Sequence, residues 1–350
     1  MNDTQVNSRQ IKILQYLWTK PTTTRKDIES VFPQGSVSRI TLIRDLNNLI
    51  EKGMIQQSGG GKYIKYSLVP DKEILVPINI NEYFQSPIDT RYVRYPSFNN
   101  GVIIKLNNLF SSDELRIFEQ GRKQLQSRFE TVDPSIIKRE LERFTIEFSW
   151  KSSRIEGNTY SLLETEELIK NKKEAQGHSK EEAIMILNHK SSFDTILANK
   201  STFRQISEYD IRSIHKELVK ELDITPNIRE YGVGITGTIY KPLDTKWQIE
   251  ESLHAVVDHV KSVTDVAEKS LILLAMISYL QPFVDGNKRT ARMVSNAILL
   301  ANGYYPLSYR SVDEVEFKKA LILFYEQNNL FHLKRIFLDQ LQFAIQQYFV

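Results

Sequence analysis

The residues best suited to chemistry lie in one uninterrupted string, Gln281-Pro282-Phe283-Val284-Asp285-Gly286-Asn287-Lys288-Arg289-Thr290-Ala291-Arg292. The apolar run before it, SLILLAMISYL, predicts a buried helix that stops at Pro282, and Asp285-Gly286-Asn287 predicts a tight turn. KRTARMVSNAILLANG then predicts a new helix closing at Gly303. The first turn of a helix presents unpaired N–H groups and the positive end of the dipole, so it suits an anion. Lys288, Arg289 and Arg292 add formal positive charge in the first two turns, where cations are disfavoured in an isolated helix. A polyanionic ligand such as a phosphate chain would offset that cost. Asp285 sets a carboxylate beside the phosphates, the donor that Mg²⁺ takes together with phosphate oxygens and water. The competing reading is a charged, solvated helix start after an ordinary turn.

Other chemistries find little support. The chain has no cysteine, which excludes disulfides, cysteine zinc sites and thiol catalysis. Its six histidines (His178, His189, His215, His254, His259, His332) form no i,i+4 pair and no ligand cluster, and His215 reads as structural. Gly232-Val233-Gly234-Ile235-Thr236-Gly237 satisfies the dinucleotide fingerprint as a string. However, the chain continues into β-prone Thr238-Ile239-Tyr240 and then Pro242 instead of opening a helix, so a glycine-bounded hairpin is expected. The N-terminus lacks the basic-then-apolar plan of a signal peptide, and the run Leu271–Ile277 is at most about half a membrane span. A cytoplasmic protein with no membrane partner is the expectation.

The elements that must position the string follow from length and patterning. With 350 residues, 41% hydrophobic and 25% charged, two or three domains are expected, each able to bury a core. The net charge of +3 divides unevenly: residues 1–70 hold ten basic and five acidic side chains, leaving +5, and the rest of the chain carries −2. Ser8 is a plausible N-cap for a helix with Ile11, Leu14, Leu17 and Trp18 on one face. A short helix follows in RKDIESVF, then a third with Ile40, Ile43, Leu46, Leu49 and Ile50 at helical spacing, ended by Gly53. Two β-prone runs around Gly59-Gly60-Gly61 predict a hairpin. Residues 71–110, broken by Pro77, Pro87 and Pro96, predict a connector with a strand or two, and from Ser111 the pattern is helical to the end.

Two resemblances emerge from these strings. Three helices and a two-stranded wing over residues 1–70 resemble a winged helix-turn-helix. The resemblance implies that Ser36, Ser38, Arg39, Thr41 and Arg44 face duplex DNA, with Lys62 and Lys65 near phosphates. A winged helix used for protein contacts is the alternative. The string at 281–292 resembles the Fic signature His-Pro-Phe-x-Asp/Glu-Gly-Asn-Gly/Lys-Arg-x-x-Arg at every defined position except the first, where Gln281 stands for histidine. Ser152-Ser153-Arg154-Ile155-Glu156-Gly157 resembles the inhibitory-helix pattern of the class that carries this helix N-terminally. Ile235, Thr236, Gly237, Thr238, Ile239 and Tyr240 sit where that family has its target-aligning flap. The fold so implied is mainly α: an all-helical Fic core over residues 111–350, with an inhibitory helix over 145–157 and a small β-hairpin flap, preceded by a winged-helix α+β domain.

The Fic resemblance implies transfer of AMP from ATP to a protein hydroxyl. Asp285 would hold Mg²⁺, Gly286, Asn287, Lys288 and Arg289 would cradle phosphates, and Arg292 would bind the γ-phosphate. Glu156, supported by Ser152 and Gly157, would pair with Arg292 and block the nucleotide. Loss of the signature base at Gln281 would cost about 10²–10⁴ in rate, or roughly 3–5 kcal/mol of barrier. Lys288 stands where many AMP-transferring members have glycine. The Doc-type members also carry lysine there and transfer phosphate instead. The expectation is a self-inhibited and impaired adenylyltransferase acting on a protein, the chain itself included, with a homodimer expected for both modules. The alternative is a nucleotide-sensing DNA-binding regulator with a non-catalytic Fic domain.

Overall fold

The computed structural model describes residues 6–20 and 22–349, without the side chain of Lys62. The chain folds into two compact units, residues 1–91 with 328–332, and residues 92–327 with 333–350.

In the first unit, α1 (Ser8–Thr19) is capped by Asn7, one residue before the expected cap. The Asn7 side chain accepts from the Arg9 and Gln10 N–H groups, while Gln10 reaches back to the Asn7 N–H. Strand β1 (Thr23–Thr24) leads into α2 (Arg25–Glu29), capped by Thr24 and Asp27. Helix α3 (Arg39–Glu51) starts at Ser38 and stops at Gly53, φ +63°. There the Gly53 and Met54 N–H groups bond the Ile50 and Leu49 carbonyls. Strands β2 (Ile55–Ser58) and β3 (Lys65–Leu68) form the expected hairpin, with Ser58 opposite Lys65. The sequence pattern missed β1, which adds to the far edge of β3 and gives the antiparallel order β1-β3-β2.

Ile13, Leu14, Leu17, Ile28, Leu42, Leu46, Leu49 and Ile55 form the core of this unit. Ile40 was expected on the buried face of α3 but is 73% exposed, because Leu42 takes the inward position in that turn. Buried Asp45 faces α1, accepting from Arg9 Nε (2.7 Å) and Asn7 Nδ2 (3.2 Å). After Leu68 come short helical turns and α4 (Ile80–Tyr83), where a strand or two was expected. Prolines remove the donors that a ladder needs.

The second unit is helical. Helix α5 (Ser112–Thr131) begins with the Ser111/Glu114 capping box. It is followed by α6 (Pro134–Ile155), α7 (Leu162–Asn171), α8 (Lys180–Ala198), α9 (Glu208–Leu218), α10 (Lys246–Ser262), α11 (Val266–Leu280), α12 (Asn287–Ala301), α13 (Glu314–Gln327) and α14 (Phe331–Gln347). The expected mainly α fold with a small front sheet is what the structure has. Helices α11 and α12 pack against each other at the centre, buried along nearly their whole lengths, with Ser270 and Ser295 hydroxyls 2.7 Å apart between them. Among the described residues, no helix is long and apolar enough to cross a membrane.

The expected hairpin at 235–240 is a correction. A turn at Thr236–Gly237 is present, but no ladder forms across it. Instead, Lys241 N–H bonds Pro96 O (2.9 Å) and Phe98 N–H bonds Lys241 O (3.2 Å), a parallel bridge that takes these backbone groups away from local pairing.

Buried Glu268 on α11 fixes the entry to α5, accepting from the Leu109 (2.7 Å) and Phe110 (3.4 Å) N–H groups. Replacing Glu268 with Ala strands two buried donors, and the expected loss is about 2 kcal/mol. Urea melts check this, and an unchanged midpoint would refute the role assigned to the carboxylate.

Candidate functional site

The site is the junction between α11 and α12. Gln281 is the C-cap of α11 and adopts the left-handed conformation, φ +49°, which lets the chain leave the helix at once. Its side chain is held at both ends. Nε2 donates to Ser278 O (2.7 Å), and Oε1 accepts from Asn287 Nδ2 (3.0 Å). Asn287 closes the turn rather than facing outward: its Oδ1 accepts from Phe283 N–H and its Nδ2 donates to Phe283 O, both at 2.8 Å. Gly286 has φ +76°, and a Cβ there would meet Val219 Cγ1 at 3.2 Å and His215 Cε1 at 3.3 Å. Glycine is therefore favoured by the left-handed conformation, and a side chain would also press on Val219 and His215.

Helix α12 opens at Gly286 with no side-chain cap, so its first N–H groups face the turn without a side-chain acceptor. Arg289 and Arg292 are almost fully buried behind them. Arg292 donates through Nε to Ser152 Oγ (2.9 Å) and through Nη2 to Ser152 O and Glu156 Oε1 (both 2.8 Å). Lys288 Nζ lies 3.6 Å from the other Glu156 oxygen. Arg289 meets Asp285 only at 3.4 Å, and Asp285 is 66% exposed. The buried Arg289 Nε and Nη1 and Arg292 Nη1 have no hydrogen-bond partner among the described residues. Orphaned cationic donors of this kind are costly unless a ligand or water accepts from them.

Glu156 sits at the C-terminus of α6, with Gly157 at φ +103° turning the chain away. Burial works against its ionisation, but the charges of Arg292 and Lys288 and the Arg292 hydrogen bond prevail, holding the carboxyl below its ordinary range. The structure thus gathers Ser152, Glu156, Gln281 and residues 285–292, which are separated by up to 140 positions in the chain. The stretch expected to form an inhibitory helix over 145–157 lies at the end of a longer, 22-residue helix, α6, with Glu156 as its C-cap.

In segment 235–240, Tyr240 is buried rather than at an edge, and its hydroxyl donates to Tyr279 O (2.9 Å), two residues before Gln281. In the first unit Ser36, Arg39, Arg44 and Lys65 are exposed. Ser38 is exposed too, but its hydroxyl is committed to the cap, accepting from Thr41 N–H (3.2 Å) with the Thr41 hydroxyl at 2.9 Å. The Lys62 side chain lies outside the described residues.

One supporting group escaped the sequence reading. Arg229 is buried and ties down the end of α11, donating to Gln281 O (2.6 Å), Leu280 O (3.3 Å) and Tyr231 O (2.7 Å). Nothing in its surroundings, PNIREY, marks it. His215, expected to be structural, stacks flat on Phe283 (3.6 Å between ring centroids) and contacts the Thr290 hydroxyl at 3.1 Å. Burial and then repulsion from Arg289 push its pKa down to about 3, against a backbone contact at Thr225.

The depressed His215 pKa links stability to pH. The unfolded imidazole binds a proton below about 6.5 and the folded one only near 3, so stability is complete above 6.5 and falls as pH drops through that window. The expected loss from this residue at pH 5 is about 2 kcal/mol. Urea melts of the wild type and His215→Phe at pH 7, 6 and 5 should show the shallower slope in the variant, and equal slopes would contradict the assignment.

Comparison with known proteins agrees with this geometry. Residues 205–299 match the family model described as Fic/DOC family. The chain is 27% identical over 196 residues to protein adenylyltransferase Fic of Nematostella vectensis, covering 53% of this chain and 44% of that protein. It is 28% identical over 108 residues to a probable protein adenylyltransferase of Aquifex aeolicus, covering 30% of this chain and 33% of that protein. The chain thus spans less than half the length of these curated relatives. In fold it is similar to Fic-1 from C. elegans (TM-score 0.56, 15% identity, 98% of each chain covered). It is also similar to a Fic domain containing signaling protein from Bacteroides thetaiotaomicron (TM-score 0.54, 21% identity, 67% of this chain and 96% of that one). The turn at 285–287 and the arginines buried behind it lie within residues 205–299, the stretch that matches the Fic/DOC family, and the fold around them is similar to that of solved Fic proteins.

Proposed function

We propose that the second unit binds ATP at the start of α12 and is a Fic-type protein adenylyltransferase, held off by Glu156 and impaired by Gln281. The observation that carries this reading is the Glu156 carboxylate seated on Arg292 and Lys288, at an uncapped helix N-terminus that also holds unpartnered guanidinium donors. A carboxylate there occupies the place a phosphate would take, so the two compete by occupancy. The names of the curated relatives support adenylyl transfer, with ATP as donor and a protein as acceptor. In that reaction an acceptor hydroxyl attacks the α-phosphorus, the bond to the β-phosphate breaks, pyrophosphate leaves, and a base takes the hydroxyl proton. The Gln281 amide cannot take that proton at neutral pH, and both its ends are already engaged.

Mg²⁺ fits the donor set. Asp285 is one exposed carboxylate beside the phosphate-binding turn, and Mg²⁺ bound to nucleotides needs little more from the protein. Among the described residues there is no group of three metal-ligating side chains, so the phosphates and water would supply the remaining ligands. Mg²⁺ there would neutralise the phosphate charge and align the leaving pyrophosphate.

A labelled-ATP assay with Gln281→His and Glu156→Gly, singly and together, tests the reading. The double variant is expected to label protein, with a gain of about 10²–10⁴ on restoring histidine. Glu156→Ala is expected to tighten ATP·Mg²⁺ binding by about tenfold in calorimetry, since it removes a charge-assisted competitor. A double variant that labels nothing, itself included, would count against the enzyme reading.

A second reading, a nucleotide-responsive DNA-binding regulator, draws on the first unit. Arg39 and Arg44 are exposed on α3, whose order with the other helices and the β2–β3 hairpin is that of a winged helix. Arg39→Ala with Arg44→Ala in the full chain is expected to weaken duplex binding and to reduce the salt slope by about 2. Unchanged retention on DNA would remove this reading.

A further inference from the structure

Resting on the reading that Glu156 competes with nucleotide phosphate, we propose that Glu314 is a positioning residue that keeps Glu156 on Arg292. Glu156 lies at the very end of α6, where the next residue turns away in the left-handed region. Helix ends fray where their last carbonyls lack partners; here the Gly157 and Asn158 N–H groups bond Arg154 O (2.9 Å) and Ser153 O (3.2 Å), which closes the turn on itself but does not tie it to α13. The carboxylate can stay within hydrogen-bond range of Arg292 only as long as the last turn of α6 is held.

Glu314, the first residue of α13, ties that turn to the neighbouring helix. Its Oε1 accepts from Lys151 Nζ (2.9 Å) and from Arg154 Nε (3.1 Å). Lys151 and Arg154 are one turn apart on α6, five and two residues before Glu156. One oxygen therefore pins the final turns of the helix that carries the competitor. Lys151 is buried, which shields its half of the bridge from solvent screening. The anchor is itself fixed, since Asp313 caps α13 by accepting from Glu316 N–H (2.9 Å). One turn further along α13, the Phe317 ring lies 5.8 Å from the Arg292 guanidinium. The start of α13 thus braces both members of the Glu156–Arg292 pair, from a carboxylate that bonds to Lys151 and Arg154 rather than to Arg292.

The test is calorimetric titration of ATP·Mg²⁺ into the full chain as wild type, Glu314→Ala, Glu314→Gln, Glu156→Ala and the Glu156→Ala/Glu314→Ala double variant. Glu314→Ala is expected to tighten binding about threefold to tenfold, and Glu314→Gln, which keeps an acceptor but not the charge, less. In the Glu156→Ala background the same change should leave affinity within about twofold, because there is no competitor left to position. A purely structural role would lower the melting temperature in both backgrounds without this dependence on Glu156. If Glu156→Ala tightens binding and neither Glu314 variant does, the inference is overturned. It is equally overturned if Glu314→Ala shifts affinity by the same factor in both backgrounds. If Glu156→Ala itself changes nothing, the competition reading falls, and this inference falls with it.

Discussion

The start of α12 is the constraint around which the second unit is organised. A helix N-terminus already carries partial positive charge, and this one adds Lys288, Arg289 and Arg292 within two turns while leaving its N–H groups without a side-chain cap. Two of those cations are buried, so water cannot screen them. The surroundings respond in order of distance. Asn287 and Gly286 shape the turn, Arg229 fastens the helix before it, and His215 is kept neutral so that it adds no further charge. Ser152 and Glu156 accept from Arg292, yet three guanidinium donors stay unpartnered. The site is a positive charge only partly answered by the protein.

What could be read in the sequence, and what could not, divides by range of interaction. Local grammar was legible. The helical onset after Ser111, the Gly53 stop and the turn at 285–287 follow from propensities within four or five residues, and the structure has each of them. The mainly α fold follows from the same periodicities. Contacts between distant segments were not legible from spacing. Arg229 reaches carbonyls some fifty positions away, and its neighbours carry no repeat or pattern that would single it out. The segment around 235–240 had the composition of a hairpin but lost its local partner to residues 96–98, a competition that composition cannot weigh. Ile40 shows the same limit at one helix: Leu42 and Ile40 both suit the inner face, and packing chose between them.

Gln281 serves the architecture of this corner through its backbone and its side-chain amide alike. Its left-handed backbone, its carbonyl bond to Arg229 and its amide bonds to Ser278 and Asn287 all serve the corner between the helices. Glutamine fills the site with a neutral donor and acceptor at opposite ends, so the corner is satisfied without any group that titrates near neutrality. The geometry of this turn and the capacity to accept a proton are therefore separable properties of the same position.

The first unit has an unusual covalent make-up, because it includes residues 328–332, which run from the α13–α14 connection into the first two residues of α14. The carbonyls of Ile74, Val76 and Ile78 are bonded by Leu330 N–H, Asn329 Nδ2 and His332 Nε2, respectively. A polypeptide ending at residue 91 would lack these donors and leave the stretch after β3 without its closing contacts. The front unit is thus discontinuous in sequence. Any attempt to transplant it, swap it onto another chain or liberate it by proteolysis between residues 91 and 92 must reckon with a plug supplied from near the opposite terminus.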